Sequence, residues 1–231
     1  MTTRFLDALL TARLPLIAEL KRTDPDGNDL RGGRTDAEVI AAYIDAGVSC
    51  LSVVTGRWFG GDARMLTEMR TVTDLPVLRK DFITRRAQLA ETVELGGDAV
   101  LLTAQLLPSD GLLGLARAAL ELGLTPFIEV VSTFEVETVA AVAADSIIAV
   151  NNKDIRSQER GGAELDRSLR LLPAVVEAGC PAPVSASGIA TPDDAFRLLQ
   201  AGYRGLLVGT SLLSADALED WAGLRVPGRP Q

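Results

Sequence analysis

The sequence predicts an α/β fold, a closed (β/α)8 TIM barrel in one domain over 1–231, and three observations carry that expectation. Apolar runs of about six residues alternate with amphipathic stretches of about ten to fifteen, the pattern of repeated βα units on a parallel sheet. Eight such units can be counted, and eight units in roughly 215 residues fit a compact barrel. Charged side chains stand where the apolar strands end: Glu19 and Lys21 in PLIAELKR, Lys80 in PVLRKDF, Glu129 in TPFIEVV. A strand buried on both faces reads as a continuous apolar run, so an ionised group inside one carries a desolvation cost that a purely structural position does not need.

Strands are expected in chain order near 15–21, 49–54, 76–81, 99–104, 126–131, 146–151, 183–187 and 205–209, each followed by a helix-compatible segment. The clearest helical stretches are Asp36 to Ala46, Arg85 to Leu95, Ser109 to Leu122, Pro192 to Ala201 and Ser214 to Ala222. Thr191-Pro192-Asp193-Asp194 places a cap before a proline at the first helical position, with acids in the first turn. Gly47, Gly96, Gly123, Gly179 and Gly202 stand where left-handed helix caps belong. An open doubly wound sheet is the alternative, but no GxGxxG follows the first strand and the unit count is eight rather than five or six. The tail from Arg225 to Gln231 is expected to fray.

Composition narrows the function classes. With 47% hydrophobic and 23% charged residues, a chain of 231 residues has the balance of one soluble domain with a substantial core. The formal charge of -8 argues against a nucleic-acid partner. Asp7, Arg13 and Glu19 interrupt the N-terminal apolar stretch, which argues against a signal peptide or membrane span and for a cytoplasmic location. Cys50 and Cys180 lie far apart and form no CxxC, so neither a disulfide framework nor a zinc site is expected. Histidine is absent, so acid–base chemistry falls to Lys, Glu, Asp or Tyr. No metal and no cofactor are expected, and the oligomeric state is not legible.

In a barrel of this kind the C-terminal strand ends and the loops that follow line the active site. Glu19 and Lys21, two apart, point to one face. With Lys80 and Glu129 they supply two ammonium groups and two carboxylates around one opening, where burial and mutual attraction shift pKa in opposite senses. Structural ion pairs at the barrel mouth would use the same residues. Ser187-Gly188 closes strand 7 and Gly209-Thr210 closes strand 8. Loops at these two positions, with a helix N-terminus, form a recurrent phosphate site, although tight-turn glycines would look the same. Asn151, Asn152 and Lys153 end strand 6. Amides orient hydroxyls and a lysine meets a carboxylate or phosphate, while an Asn-Asn pair is also an ordinary turn former. Trp58-Phe59 after strand 2 points to an aromatic wall. The loop from Arg22 to Thr35 is long for a βα connection and has the composition of a lid or of a passive surface excursion.

The segments IAELKR (17–22), LSVVTGRWFGG (51–61), LPVLRKDFI (75–83), GGDAVLLTAQLL (96–107), FIEV (127–130), VNNKDI (150–155), SASGIATPDD (185–194) and LLVGTSLL (206–213) resemble, in order, the indole-3-glycerol phosphate synthase family. The resemblance implies a carboxy-lyase of tryptophan or indole-derived biosynthesis. Such an enzyme closes the indole ring of 1-(2-carboxyphenylamino)-1-deoxyribulose 5-phosphate with loss of carbon dioxide and water, and uses no cofactor. It implies Lys80 as the general acid on the ketone oxygen and Lys21 as a holder of the substrate's anionic groups. Glu129 is the proton acceptor of the dehydration, helped by Glu19 and oriented by Asn151. Gly188, Gly209 and Thr210 are implied for phosphate, Ser187 for a hydroxyl or carboxylate, and Phe82 with Leu101 for the apolar wall against the anilino ring. The residues themselves add Phe59 to an aromatic wall and Lys153 as a partner for a carboxylate or phosphate.

The chain also departs from that family. Asp24 and Asp26 stand in the first loop where a serine and a lysine are usual, and would repel an anionic group by several kcal/mol if desolvated about 4 Å from it. Ala186 replaces a carboxylate after strand 7, Lys153 replaces an arginine, and the segment before strand 1 is a shortened N-terminal extension. A divergent family member acting on a related phosphosugar or arylamine adduct, and a non-catalytic metabolite-binding barrel, are the competing readings. Phosphoribosylanthranilate isomerase chemistry is set aside, since no Cys ends strand 1 and no Asp ends strand 6.

Overall fold

A computed structural model describes residues 3–153, 165–213 and 215–224. Eight strands close a parallel barrel in sequence order: β1 (Leu16–Leu20), β2 (Cys50–Val54), β3 (Val77–Lys80), β4 (Ala99–Thr103), β5 (Thr125–Val130), β6 (Ile147–Asn151), β7 (Val184–Ala186) and β8 (Gly205–Val208). The closing pair, β1 with β8, aligns Ala18 with Val208. All eight expected strands are present, and each is buried on both faces almost throughout. That double burial is why the runs read as continuous rather than alternating.

The helices between strands are α2 (Asp36–Asp45), α3 (Met65–Arg70), α4 (Arg86–Glu94), α5 (Ser109–Glu121), α6 (Thr133–Ala143), α7 (Leu165–Glu177) and α8 (Pro192–Ala201), with α9 (Ala215–Ala222) after β8. Their starts follow local chemistry. Thr35 and Thr191 each close a capping box, with Glu38 and Asp194 respectively. The five expected helix-end glycines all have positive φ, the conformation that glycine adopts without a Cβ penalty. The start of the last expected helix at Ser214 and the 225–231 tail lie outside the described residues.

One helix was not among the sequence expectations. α1 (Arg4–Thr11) precedes β1 and buries Phe5, Leu6 and Leu9 in one cluster with Ile17, Cys50, Leu78, Ala99, Phe127, Ile147, Val184 and Leu207. These residues lie on the barrel interior toward the strand N-termini, so the short N-terminal segment plugs the floor of the barrel. Leu9 fits because β8 begins with glycine: a Cβ at Gly205 would lie 2.8 Å from Leu9 Cδ2. The remaining core residues form the larger layer between strands and helices. The interior above the floor is therefore filled, and the space left for a ligand is at the C-terminal end.

Candidate active site

Strand periodicity turns Glu19, Ser52, Lys80, Leu101, Glu129, Asn151 and Ala186 toward the barrel axis near the C-terminal ends, continuing the inward columns that begin at Ile17, Cys50, Leu78, Ala99, Phe127, Ile147 and Val184. A cavity of about 310 Å³ opens there, within the range that holds a small organic ligand. Lys21, Lys80 and Glu129 line it together with Phe59, Phe82, Leu101, Trp58, Pro25, Thr103 and Asp81. Seven of the residues singled out by sequence, Trp58 among them, thus share one chamber.

The charged groups are close and deeply placed. Lys80 Nζ donates to Glu19 Oε2 at 2.7 Å, and Glu19 is 4% exposed. Burial is the largest influence on Glu19 and favours the neutral acid. The fields of Lys80, Lys21 and Lys153 and the hydrogen bond from Lys80 outweigh it and hold the carboxyl below its ordinary value. Lys153 therefore belongs to the same electrostatic group although it does not line the cavity. Glu129 is buried at 5% exposure beside Thr103 in the strand register. Lys21 Nζ lies 5.2 Å from the centroid of Phe59, a cation–π distance. Phe82 meets Trp58 edge to face at 5.1 Å, and both rings are part of the cavity wall.

The far side of the mouth is built by the loops after β6, β7 and β8. Asn152, fully buried, donates through Nδ2 to Ser185 Oγ and to the carbonyls of Ala186 and Ser187, and accepts through Oδ1 from Ser168 N and Oγ. Asn152 is thus the structural member of the pair. Asn151 faces inward, with Oδ1 accepting from Lys153 N at 2.9 Å. Ser187, at φ 66°, is the one described non-glycine residue in the left-handed region and is followed by Gly188 at φ 72°. An L-residue held there carries strain of order 1 kcal/mol, and Asn152 is what holds it. Ser211 Oγ donates to Ile189 O at 2.8 Å, tying the loop after β8 to the loop after β7. A three-residue 3-10 turn at Thr210–Leu212 follows Gly209.

The first loop also has a defined shape. Thr23 and Asp29 pair across its first half, and Asp24 accepts from Asp26 N, Asn28 N and Asn28 Nδ2. The Asn28 bonds are the largest cause of its lowered pKa. The carboxylate at 24 is therefore satisfied inside its own loop, while the neighbouring Pro25 faces the cavity. Arg22 pairs with Asp36 at 2.6 Å, and Thr23 N donates to Phe59 O, so this loop rests on the loop after β2.

Sequence reasoning passed over Asp81. It lines the cavity, accepts from Thr55 Oγ1 at 2.9 Å and from Phe82 N at 2.8 Å, and lies 3.4 Å from buried Arg79. The available signal was an acid directly after Lys80 in LRKDF. The two thiols are buried and raised by desolvation, Cys50 to about 12 and Cys180 to about 11, so neither supplies a thiolate near neutral pH. Among the described residues no cluster of three or more acids and cysteines could hold a metal ion, and no helix is long and apolar enough to cross a membrane.

The family model described as indole-3-glycerol phosphate synthase matches residues 1–222. The chain belongs to the indole-3-glycerol phosphate synthase family. A synthase of that name from Halalkalibacterium halodurans is 35% identical over 208 residues, covering 90% of this chain and 79% of that protein. One from Carboxydothermus hydrogenoformans is 38% identical over 204 residues, covering 88% and 75%. The fold is likewise that of a chain in the tryptophan synthase a2b2 complex from Pyrococcus furiosus, with a TM-score of 0.65 at 15% identity over 93% of this chain and 97% of that one. At that identity the likeness speaks for the barrel alone. Membership of the synthase family accounts for the order of the strand-end motifs.

Proposed function

We propose that this protein is an indole-3-glycerol phosphate synthase: it converts 1-(2-carboxyphenylamino)-1-deoxyribulose 5-phosphate to indole-3-glycerol phosphate, carbon dioxide and water. The observation that carries the reading is the Lys80–Glu19 ion pair at 2.7 Å, set at the same barrel mouth as Lys21 and Glu129 against an apolar wall.

In this reading the anilino ring packs against Phe82 and Leu101, with Phe59 and Pro25 closing the chamber. The phosphate is held by the backbone of Gly188, Gly209 and Thr210, and Ser187 and Lys153 receive a hydroxyl or anionic group. The ring carbon that bears the carboxylate attacks the ketone carbon as Lys80 gives its proton to the ketone oxygen, forming the carbon–carbon bond and an alcohol. The carboxylate then leaves as carbon dioxide, and its bonding pair restores the aromatic ring. In the last step the hydroxyl leaves as water on protonation by Lys21, which still holds its proton after Lys80 has given up its own. Glu129 takes the proton from the adjacent methylene carbon, and the double bond of the indole forms. Glu19 keeps Lys80 charged and in place, and Asn151 orients the groups around Glu129. General acid–base assistance of this kind contributes about 10²–10⁴-fold.

Incubating purified protein with the carboxyphenylamino-deoxyribulose phosphate should produce indole absorbance and fluorescence, and Lys80→Ala should lower the rate by about 10²-fold or more. No signal from folded wild-type protein rejects the assignment. A divergent enzyme acting on a related arylamine adduct is favoured by one observation, the uncharged Ala186 at the end of β7. An orders-of-magnitude gain on the standard substrate in Asp24→Ser/Ala186→Glu would favour it.

A further inference from the structure

We infer that Gly209 is a positioning residue for acid–base chemistry: the missing side chain at this position sets where the Glu19 carboxylate sits, and through it where Lys80 points. The inference deepens the ring-closure reading above and goes beyond a phosphate contact at the same residue. A Cβ placed on Gly209 would lie 2.8 Å from Glu19 Oε1, 3.4 Å from Glu19 Cδ and 3.5 Å from Glu19 Cβ. Glu19 is thus laid along the bare α-carbon of the residue that follows β8, while its other oxygen, Oε2, holds Lys80 Nζ at 2.7 Å.

The backbone at Gly209 has φ -112° and ψ -95°, which is not the left-handed conformation that favours glycine; the close contact with Glu19 is a separate demand for a bare α-carbon. Glycine permits a close approach that any Cβ prevents. The contact arises from barrel closure, because β1 and β8 are the first and last strands and their pairing sets Ala18 beside Val208, one residue before Glu19 and Gly209. Real side chains essentially never tolerate a contact of 2.8 Å, and the atom that must give way is the tip of a flexible side chain. An alanine at 209 is therefore not compatible with the present carboxylate position. Its displacement pulls Oε2 off Lys80 and removes the interaction that keeps the general acid charged and aimed.

A double-mutant cycle of Gly209→Ala with Glu19→Ala tests the inference, because it cancels any backbone or phosphate effect of the methyl common to both backgrounds. In the wild-type background Gly209→Ala should lower kcat by about 10-fold or more. The kcat loss should be about 10-fold larger in that background than in the Glu19→Ala background, whatever the methyl does to phosphate binding in both. A rise in KM with kcat unchanged, or an equal kcat loss in both backgrounds, overturns it. Should Gly209→Ala fail to fold, the double variant must recover the melting temperature of Glu19→Ala, and failure to do so also overturns it. Crystal structures of wild type and Gly209→Ala supply a readout independent of activity. Lys80 Nζ to Glu19 Oε2 should lengthen past hydrogen-bonding distance, and retention of the wild-type distance contradicts the inference. An inactive wild-type enzyme would reject the proposed reaction while leaving this structural arm to decide the role of Gly209.

Discussion

Glu19 is the residue on which most of the site's electrostatics converge. It sits in a nearly dry position, yet its carboxyl is held below the ordinary value because the cations Lys80, Lys21 and Lys153 outweigh the burial that opposes its charge. The sign of the pH effect follows. A carboxyl whose folded pKa is lowered binds fewer protons in the native state than in the unfolded chain, so its stabilisation is complete above the unfolded value and fades as pH falls through the folded one. Glu19→Gln removes one partner of a buried pair, and wild type should exceed it by about 3–5 kcal/mol at pH 7 in urea unfolding. That margin should shrink as the pH drops below 4.5, the ordinary glutamate value. A margin constant from pH 7 to pH 3 would contradict the charge assignment. The four central charges could be read from sequence because each interrupts an apolar run. Asp81 could not be separated from an ordinary loop acid, since its bonds to Thr55 and Phe82 depend on how two strand ends meet. The contact between Gly209 and Glu19 was equally illegible, as it joins the first strand to the last.

At the scale of elements, the eight strands and most helices followed from apolar runs, capping threonines and terminal glycines, all of which act within a few residues of where they stand. α1 did not. Its segment carries amphipathic character, but nothing local says that its apolar face fills the barrel floor rather than the space between outer helices. The structure gives it a measurable weight. Phe5 is fully buried among residues from several strands, so Phe5→Ala should cost about 3–5 kcal/mol, read as a lower urea midpoint with an unchanged m-value. A loss below about 1 kcal/mol would mean that the floor is not packed as described. The rate of the proposed ring closure, which is assigned to the opposite end of the barrel, should be little changed in the protein that remains folded. The loops show a similar division. The turn chemistry of Arg22 to Thr35 was visible in sequence, whereas the satisfaction of Asp24 by Asn28 required coordinates.

For the whole molecule, closure of the sheet turns residues far apart in sequence into one ring of strand ends. That ring concentrates Lys21, Lys80 and Lys153 around Glu19 in a chain whose formal charge is -8. The three lysines balance the carboxylates of Glu19, Glu129 and Asp81 at the same mouth, so the opening offers individual cations to an anionic ligand group without a net positive field. The apolar wall of Phe59, Phe82 and Leu101 stands at the same opening, so charge recognition and ring packing are available together. In the proposed reaction these parts act on a single bound molecule. A crystal structure with a non-reactive analogue of the carboxyphenylamino-deoxyribulose phosphate, its ketone reduced to an alcohol, addresses that claim most directly. The account places the phosphate on the backbone of Gly188, Gly209 and Thr210, the aryl ring against Phe82 and Leu101, and Lys80 Nζ within hydrogen-bonding distance of the oxygen that replaces the ketone. A phosphate bound elsewhere, or a Lys80 that never reaches that oxygen, would contradict it.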